Sequence, residues 1–273
     1  MRQPLAGEVA IVTGASSGIG AATSRELARR GARVALAARR AVELETQVEA
    51  ITRGGGHAVA LPTDMTDPAQ VAALVERTHE AFGRVDILVN SAGVSWQEPL
   101  ASATADDIAQ LLKVNLYGAF LLTRAALPEM LLRRHGAIIS VGSVQSRVAV
   151  EPLYSASKFG VRGFSLSLRR QLAGSGVSVS LVNPGNIDTA MTSNLHEAMP
   201  GPEIVAKAIA DLVLSPRREV IVPFKYHAIV WLDELLPALS DFAFQWRHRN
   251  DVEQDTVSQM ETLRHTVESS AGR

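Results

Sequence analysis

Tyr154 and Lys158 stand four apart in the stretch Pro152-Leu-Tyr-Ser-Ala-Ser-Lys-Phe-Gly160. Residues four apart on a helix share a face, with Cβ atoms roughly 5–6 Å apart. A free phenol titrates near pH ~10 and is a poor acid or base at neutrality. A neighbouring ammonium stabilises the phenolate and pulls that value down. The pair is therefore a tunable proton donor, which reversible carbonyl reduction requires. Tyr-x-x-x-Lys also arises by chance as two surface side chains on one helix, so its weight comes from the rest of the chain.

A second motif lies near the N-terminus. The apolar run Glu8-Val-Ala-Ile-Val-Thr13 ends in Gly14-Ala-Ser-Ser-Gly18-Ile-Gly20. A helical pattern follows, with Ile19, Thr23, Leu27 and Ala28 toward one side and Arg25, Glu26, Arg29 and Arg30 toward the other. Strand, glycine turn and helix together suit a pyrophosphate, because glycines let the backbone approach closely and the helix N-terminus favours negative charge. No Gly-Lys-Ser/Thr follows, which excludes a P-loop.

These residues need a scaffold, and the chain supplies one. Strand candidates are Val9–Thr13, Arg33–Ala38, Ala58–Leu61, Ile87–Asn90, Ala137–Val141, Ser178–Val182 and Val220–Val222. Most are continuous apolar runs, as expected of parallel strands covered on both faces. Helical patterns lie between them, near 18–30, 41–53, 68–82, 105–133, 154–173 and 203–214. Such alternation implies an α/β doubly wound parallel sheet of Rossmann type. Pro128 falls inside the longest helical pattern and is expected to bend or end it. In such sheets ligands lie beyond the carboxyl ends of the strands. Gly14, Arg39, Asp64, Asn90, Ser143 and Pro184 follow the first six strands in turn. Tyr154, Lys158 and Asn115 lie on helices that must bring them to the same edge.

Composition excludes other classes. A chain of 273 residues with 47% hydrophobic content can bury one large core. Its formal net charge of −1 provides no basic field for nucleic acid or anionic membrane. There is no cysteine, hence no disulfide and no thiolate metal site. The seven histidines show no pair at helical ligand spacing, so no metal is expected. No apolar run is long enough to span a bilayer, and the first strand begins too early for a signal peptide. A cytoplasmic location is expected.

Read together, the motifs resemble the short-chain dehydrogenase/reductase family in its single-domain form, over roughly residues 5–225. Thr13-Gly-Ala-Ser-Ser-Gly-Ile-Gly20 is similar to its cofactor motif, with Gly14, Ser16, Ser17, Gly18, Ile19 and Gly20 as contacts. Asp64, with Met65 beside it, resembles the adenine-contacting Asp after the third strand. Asn90-Ser-Ala-Gly93 resembles Asn-Asn-Ala-Gly, which brings in Asn90, Ala92 and Gly93. Asn115 resembles the active-site Asn of the long fourth helix, and Tyr154-Ser-Ala-Ser-Lys158 matches the active-site signature. Asn183-Pro-Gly-Asn-Ile-Asp-Thr189 resembles the loop that closes on the nicotinamide, through Pro184, Gly185, Ile187 and Thr189. The resemblance implies that Lys158 bonds the nicotinamide ribose and that Asn115 holds a water linking Lys158 to solvent. It also implies a homodimer or homotetramer.

A serine that hydrogen-bonds the substrate oxygen is also implied. Ser140-Val-Gly-Ser143 resembles the family's serine segment and selects Ser143. The gap to Tyr154 is then eleven positions where the family usually has thirteen, so the loop is shortened by two, and Ser140 and Ser146 stay as alternatives. The cofactor reading comes from the second strand. NAD-binding versions place an acid about 20 residues after the glycine turn. Here that position is Ala38, followed by Arg39 and Arg40, which favours the 2′-phosphate of NADP(H). Arg39 matches the family's NADP position, while Arg40 is expected to point to solvent.

Beyond Thr189, residues 190–202 are expected to form a substrate lid that includes Met191 and Leu195. Residues 226–273 are expected to form a helical C-terminal extension to a catalytic domain of residues 1–225. In it, Trp231, Leu235, Leu239, Phe242 and Trp246 form an apolar stripe. Core or dimer packing, a wall for an apolar substrate and a membrane-surface helix are its possible uses. Two functions fit the whole. One is an NADP(H)-dependent oxidoreductase acting on a small-molecule alcohol or carbonyl substrate. The other is a nucleotide-binding regulatory protein that keeps the fold without turnover.

Overall fold

The apolar runs pair side by side into one parallel sheet. A computed structural model of the chain describes residues 3–193 and 198–245. Within them the strands are β1 (Val9–Thr13), β2 (Arg33–Ala38), β3 (His57–Pro62), β4 (Ile87–Asn90), β5 (Gly136–Val141), β6 (Val177–Pro184) and β7 (Glu219–Val222). Their order is β3-β2-β1-β4-β5-β6-β7, every neighbouring pair parallel. The expected doubly wound α/β fold is thus the one observed. Chain order reverses between β1 and β4, which opens a crevice at their carboxyl ends.

The helices are α1 (Gly18–Arg29), α2 (Ala41–Arg53), α3 (Pro68–Phe82), α4 (Ala105–Leu112), α5 (Gly118–Arg133), α6 (Pro152–Gln171), α7 (Glu203–Leu214) and α8 (Tyr226–Leu235). Successive strand side chains point to opposite faces, so each strand feeds two cores. Val12, Leu36, Val89 and Ile139 join Leu27, Leu44 and Ile209 on one face. Ile11, Ala35, Leu88 and Ile138 join Leu74, Leu122 and Leu168 on the other. Each fully buried Leu or Ile contributes about 1.5–3 kcal/mol. Covering both faces explains why the strands read as continuous apolar runs.

The pattern over 105–133 does not form one helix, and Pro128 is not where it breaks. Lys113–Tyr117 forms a π-helical turn, and α5 then runs through Pro128 to Arg133. A proline removes only its own N–H donor, and the helix continues past that gap.

The amino ends of β1, β4 and β5 carry a clasp of charges. Glu8, Asp86 and His135 gather there, although nothing in the spacing of the histidines pointed to it. His135 Nε2 lies 3.0 Å from Glu8 Oε2. Asp86 accepts from Arg84 Nε at 2.7 Å, Arg133 Nη1 at 2.6 Å and the Val9 N–H at 2.9 Å. Burial opposes the Asp86 charge, yet these donors hold its carboxyl below the usual range.

Met1–Tyr226 form one compact unit and His227–Arg273 a second. In the second, Val230 and Ser240 are buried, and Ser240 Oγ donates to Asp233 Oδ1 at 2.7 Å. Trp231, Leu235, Leu239 and Phe242 are exposed, so that part of the stripe does not build the core. Trp246, Leu195 and the polar stretch from Asn250 lie outside the described residues. No helix among the described residues is long and apolar enough to cross a membrane.

Candidate active site

The site begins where β1 ends. Gly14 and Gly18 hold φ of +68° and +53°, values that L side chains rarely adopt. A Cβ on Gly14 would lie 3.0 Å from Ala92 Cα and from the Ser91 carbonyl oxygen. One on Gly20 would strike the Gly14 carbonyl. Thr13 Oγ1 accepts the N–H groups of Ser91 at 2.9 Å and Ala92 at 3.0 Å, lacing the segment after β4 to the turn. The first turn of α1 holds no acidic residue, and Ser17 at its N-cap makes no side-chain cap. Backbone N–H groups at the end of a helix dipole, behind a turn too tight for side chains, suit a pyrophosphate.

Arg39 is exposed at the end of β2. Arg40 is exposed as expected, its side chain 53% so, yet it is also engaged. Its Nη2 donates to Ser16 Oγ at 3.0 Å and Ser17 Oγ at 2.9 Å, and its Nη1 lies 3.3 Å from Glu43. Its extended backbone just before α2 lets the side chain reach back over the glycine turn. The Arg40 guanidinium therefore borders that turn, Arg39 precedes it in the chain, and Ala38 offers no carboxylate.

Asp64 Oδ1 accepts from the Thr66 N–H at 2.9 Å and Thr66 Oγ1 at 2.8 Å. Met65 is buried in the core, with its carbonyl against Gly118. Asn90 is buried and donates to Thr123 Oγ1 at 3.2 Å, while its Oδ1 has no partner among the described residues. Asn90 also lines a small cavity, together with Thr13, Ala92, Asn115 and Val141.

Asn115 sits in the π turn, fully engaged. Its Oδ1 accepts the Val94 N–H at 2.7 Å, and its Nδ2 donates to the Val94 carbonyl at 2.9 Å and Ser157 Oγ at 3.0 Å. It thereby latches the segment after β4 to α6. A Cβ on Gly93 would lie 3.4 Å from Asn115 Oδ1 and 3.5 Å from Lys158 Nζ. The π turn supplies this geometry, as such turns often do at functional sites.

Tyr154 and Lys158 share the N-terminal part of α6, with Nζ 5.5 Å from the centre of the phenol ring. Lys158 is buried, and its Nζ donates to the Val141 carbonyl at 3.0 Å. Burial drives its amine down to about 8. The Tyr154 phenol moves opposite to expectation, up to about 12. Burial is the main cause, and the Glu151 carboxylate adds to it. A hydrogen bond with Ser143 opposes both. The lysine charge favours the phenolate, but the cost of ionising a phenol away from water outweighs it.

The three serines separate clearly. Ser143 has an extended backbone, its Oγ accepts the Gln145 N–H at 3.0 Å, and it lies near enough to Tyr154 to counter the upward shift of the phenol. The shortened loop thus still places Ser143 near Tyr154. Ser140 is buried within β5, and Ser146 is buried with its Oγ donating to Asn183 Oδ1 at 3.1 Å. On the far side, Pro184 ends β6, Ile187 is buried and Thr189 approaches Gly18, whose Cβ would lie 3.2 Å from Thr189 Cγ2. Tyr226 is a residue that the motifs did not reveal. Its ring packs where a Cβ on Gly185 would be, and its hydroxyl accepts the Asn186 N–H at 3.0 Å. No local pattern signals a contact made across β7.

The turn after β1, the segment after β4, the π turn, the start of α6 and the loop after β6 therefore meet at one sheet edge. Known proteins share this fold. The chain matches the short chain dehydrogenase family over residues 8–200. It is 33% identical over 257 residues to the dehydrogenase/reductase SDR family protein 7-like of Anopheles gambiae, covering 86% of this chain and 81% of that one. It is 38% identical over 194 residues to the 3-oxoacyl-[acyl-carrier-protein] reductase FabG of Escherichia coli, covering 70% and 78%. A metagenomic short-chain oxidoreductase solved in complex with NADP superposes with a TM-score of 0.72 at 36% identity, over 80% of this chain and 97% of that one. The chain belongs to the short-chain dehydrogenase/reductase family of oxidoreductases, which act on carbonyl and alcohol groups with a nicotinamide cofactor.

Proposed function

We propose that the protein is an NADP(H)-dependent oxidoreductase for an alcohol and its ketone or aldehyde, with an apolar small-molecule substrate. One observation carries the reading: Tyr154, with the Lys158 amine 5.5 Å from its ring and Ser143 near it, stands at the sheet edge that holds the glycine turn. Two relatives named as ketoacyl reductases agree with a ketone substrate, and Met191, 40% exposed after Thr189, agrees with an apolar one.

The residues present fit the cofactor. Gly14, Ser16, Ser17, Gly18, Ile19 and Gly20 would hold the pyrophosphate, and Arg39 and Arg40 the 2′-phosphate. Asp64, Met65, Asn90, Ala92 and Gly93 would line the adenosine side; Pro184, Gly185, Ile187 and Thr189 would line the nicotinamide side. A bound nicotinamide supplies or accepts the hydride. Tyr154, held protonated across the neutral range, gives its proton to the substrate oxygen. Ser143 donates a hydrogen bond to that oxygen, where charge grows in the transition state. Lys158, mostly protonated below its pKa of about 8, keeps a positive charge near the phenol. Asn115 fixes Val94 and so the segment that carries Gly93.

The same reading includes a cytoplasmic homodimer or homotetramer, supported by exposed Leu112, Tyr117, Phe120 and Leu132 along α4, the π turn and α5. The test is kcat/KM with NADPH and with NADH over a panel of ketones, aldehydes and alcohols. NADPH is expected to be preferred by about tenfold or more, one phosphate–guanidinium contact being worth at least that. Ala38→Asp with Arg39→Ala and Arg40→Ala is expected to reverse the order. Equal use of both cofactors by the parent overturns the NADP assignment, and nucleotide binding without turnover favours a regulatory protein.

A further inference from the structure

Ser143, Tyr154 and the loop after β6 come from separate elements, and a buried carboxylate links all three. Glu219 opens β7, with its side chain only 10% exposed. Oε2 lies 2.8 Å from Arg147 Nη1, on the turn that follows Ser143. Oε1 accepts from Arg162 Nε at 3.0 Å, one helical turn beyond Lys158 on α6. The same oxygen accepts from Asn183 Nδ2 at 2.6 Å, next to Pro184 on β6. Asn183, itself fully buried, passes the connection on, for its Oδ1 accepts from Ser146 Oγ at 3.1 Å. Ser146 N–H in turn donates to the Ser143 carbonyl at 2.9 Å. Gly142 leaves the room this needs, since a Cβ there would strike Asn183 Oδ1.

We infer that Glu219 is a positioning residue, tying the Ser143 turn to α6 and so setting the Ser143 hydroxyl against that of Tyr154. The stretch Ser143–Arg147 is held at both ends. Ser143 lies near Tyr154, and Arg147 meets Glu219. A short loop held at two points keeps little freedom, so the charge on Glu219 decides where its hydroxyl stands. Glu219 touches no reacting atom in this scheme. It acts through the alignment of two groups that do, and alignment errors below an ångström are costly in catalysis.

The experiment is Glu219→Gln, which keeps the side-chain shape and removes the charge that two guanidiniums face. The inference rests on the roles given above to Tyr154 and Ser143. kcat is expected to fall about tenfold, with the Kd for NADPH within about threefold of the parent, and Glu219→Asp is expected to recover part of the loss. In a Ser143→Ala background the same change is expected to cost less than about threefold, because residues that act through one another are not additive. Hydrogen exchange is expected to quicken over 143–148 and to stay unchanged in β1 and α1. A folded Glu219→Gln protein with parental kcat overturns the inference, as does an equal loss in both backgrounds. Exchange needs no substrate. If the parent reduces no carbonyl compound while exchange over 143–148 quickens in Glu219→Gln, the tether stands and the reading of the reaction falls. Unchanged exchange sinks the tether whatever the turnover. Should Glu219→Gln fail to fold, Arg147→Gln removes the arm beside Ser143 and takes the same measurements.

Discussion

The two edges of the sheet are built on opposite plans. At the amino edge, polar groups satisfy one another: Asp86 is gripped by Arg84, Arg133 and the Val9 N–H, and Glu8 Oε2 lies 3.0 Å from His135 Nε2. At the carboxyl edge, groups are held in environments that do not suit them. Lys158 is buried with a carbonyl in contact, the Tyr154 phenol is kept neutral by burial, and Asn90, which lines a cavity, leaves its Oδ1 unpaired. Strand polarity alone does not explain the contrast. It shows where the fold concentrates stability and where it accepts its loss in return for reactivity.

The sharpest way to break this comparison is Tyr154→Phe. Only a hydroxyl is lost, so Tm and the Kd for NADPH are expected to hold while kcat falls by about 10²–10⁴-fold, the range for a lost general acid. Steady-state turnover within threefold of the parent would refute the donor role. A clear drop in Tm would show that this edge also carries stability.

Asp86→Ala is the mirror experiment. Removing a buried anion strands two guanidiniums and the Val9 N–H, at a cost of about 2–4 kcal/mol in denaturant unfolding. The folded fraction is expected to keep kcat within twofold. The parent should also show an acid limb that the variant lacks. The folded pKa of Asp86 lies below its unfolded value, so its contribution is complete above the unfolded pKa and fades as pH falls through the folded one. Loss of turnover without loss of stability would erase the distinction between the edges.

Gly18→Ala is a smaller probe of the carboxyl edge. A methyl group there meets Thr189 Cγ2 at 3.2 Å and imposes a left-handed backbone on alanine. The Kd for NADPH, read by fluorescence titration, is expected to rise about tenfold, since alanine at positive φ costs about 1–2 kcal/mol. The ratio of NADPH to NADH use should not change, because Arg39 and Arg40 are untouched. An altered ratio would mean that the turn itself reads the phosphate.

Much of this was legible in the sequence, and the exceptions share a cause. β1, β2 and β4 match their apolar runs residue for residue, because a strand buried on both faces leaves little choice of composition. The glycine turn was legible for the same reason, as positive φ and close backbone contacts demand glycine. The contacts of exposed Arg40 with Ser16 and Ser17 were not legible, because a side chain's aim depends on the backbone angle before α2, which no motif encodes. The direction of the Tyr154 shift was missed because spacing reports a neighbour's charge and not the depth of burial. Glu219, Tyr226 and the Glu8–Asp86–His135 group were invisible for a third reason. Their partners lie far away in the chain and meet only once the sheet has formed.

The π turn at Lys113–Tyr117 has a consequence for how this chain can vary. It inserts one surplus residue into an otherwise continuous helical run, as a shim sets the phase between two shafts. Taking out any one of those five residues would let α4 and α5 fuse into a regular helix. The fusion would rotate everything upstream by about 100° relative to everything downstream. Leu111, buried on α4, would leave its packing, and the Asn115 amide would lose its aim at Val94. Apart from Asn115, substitutions here can be absorbed one at a time, whereas a change of length by a single residue cannot. The number of residues in this segment is therefore more tightly constrained than the identity of the four that flank Asn115.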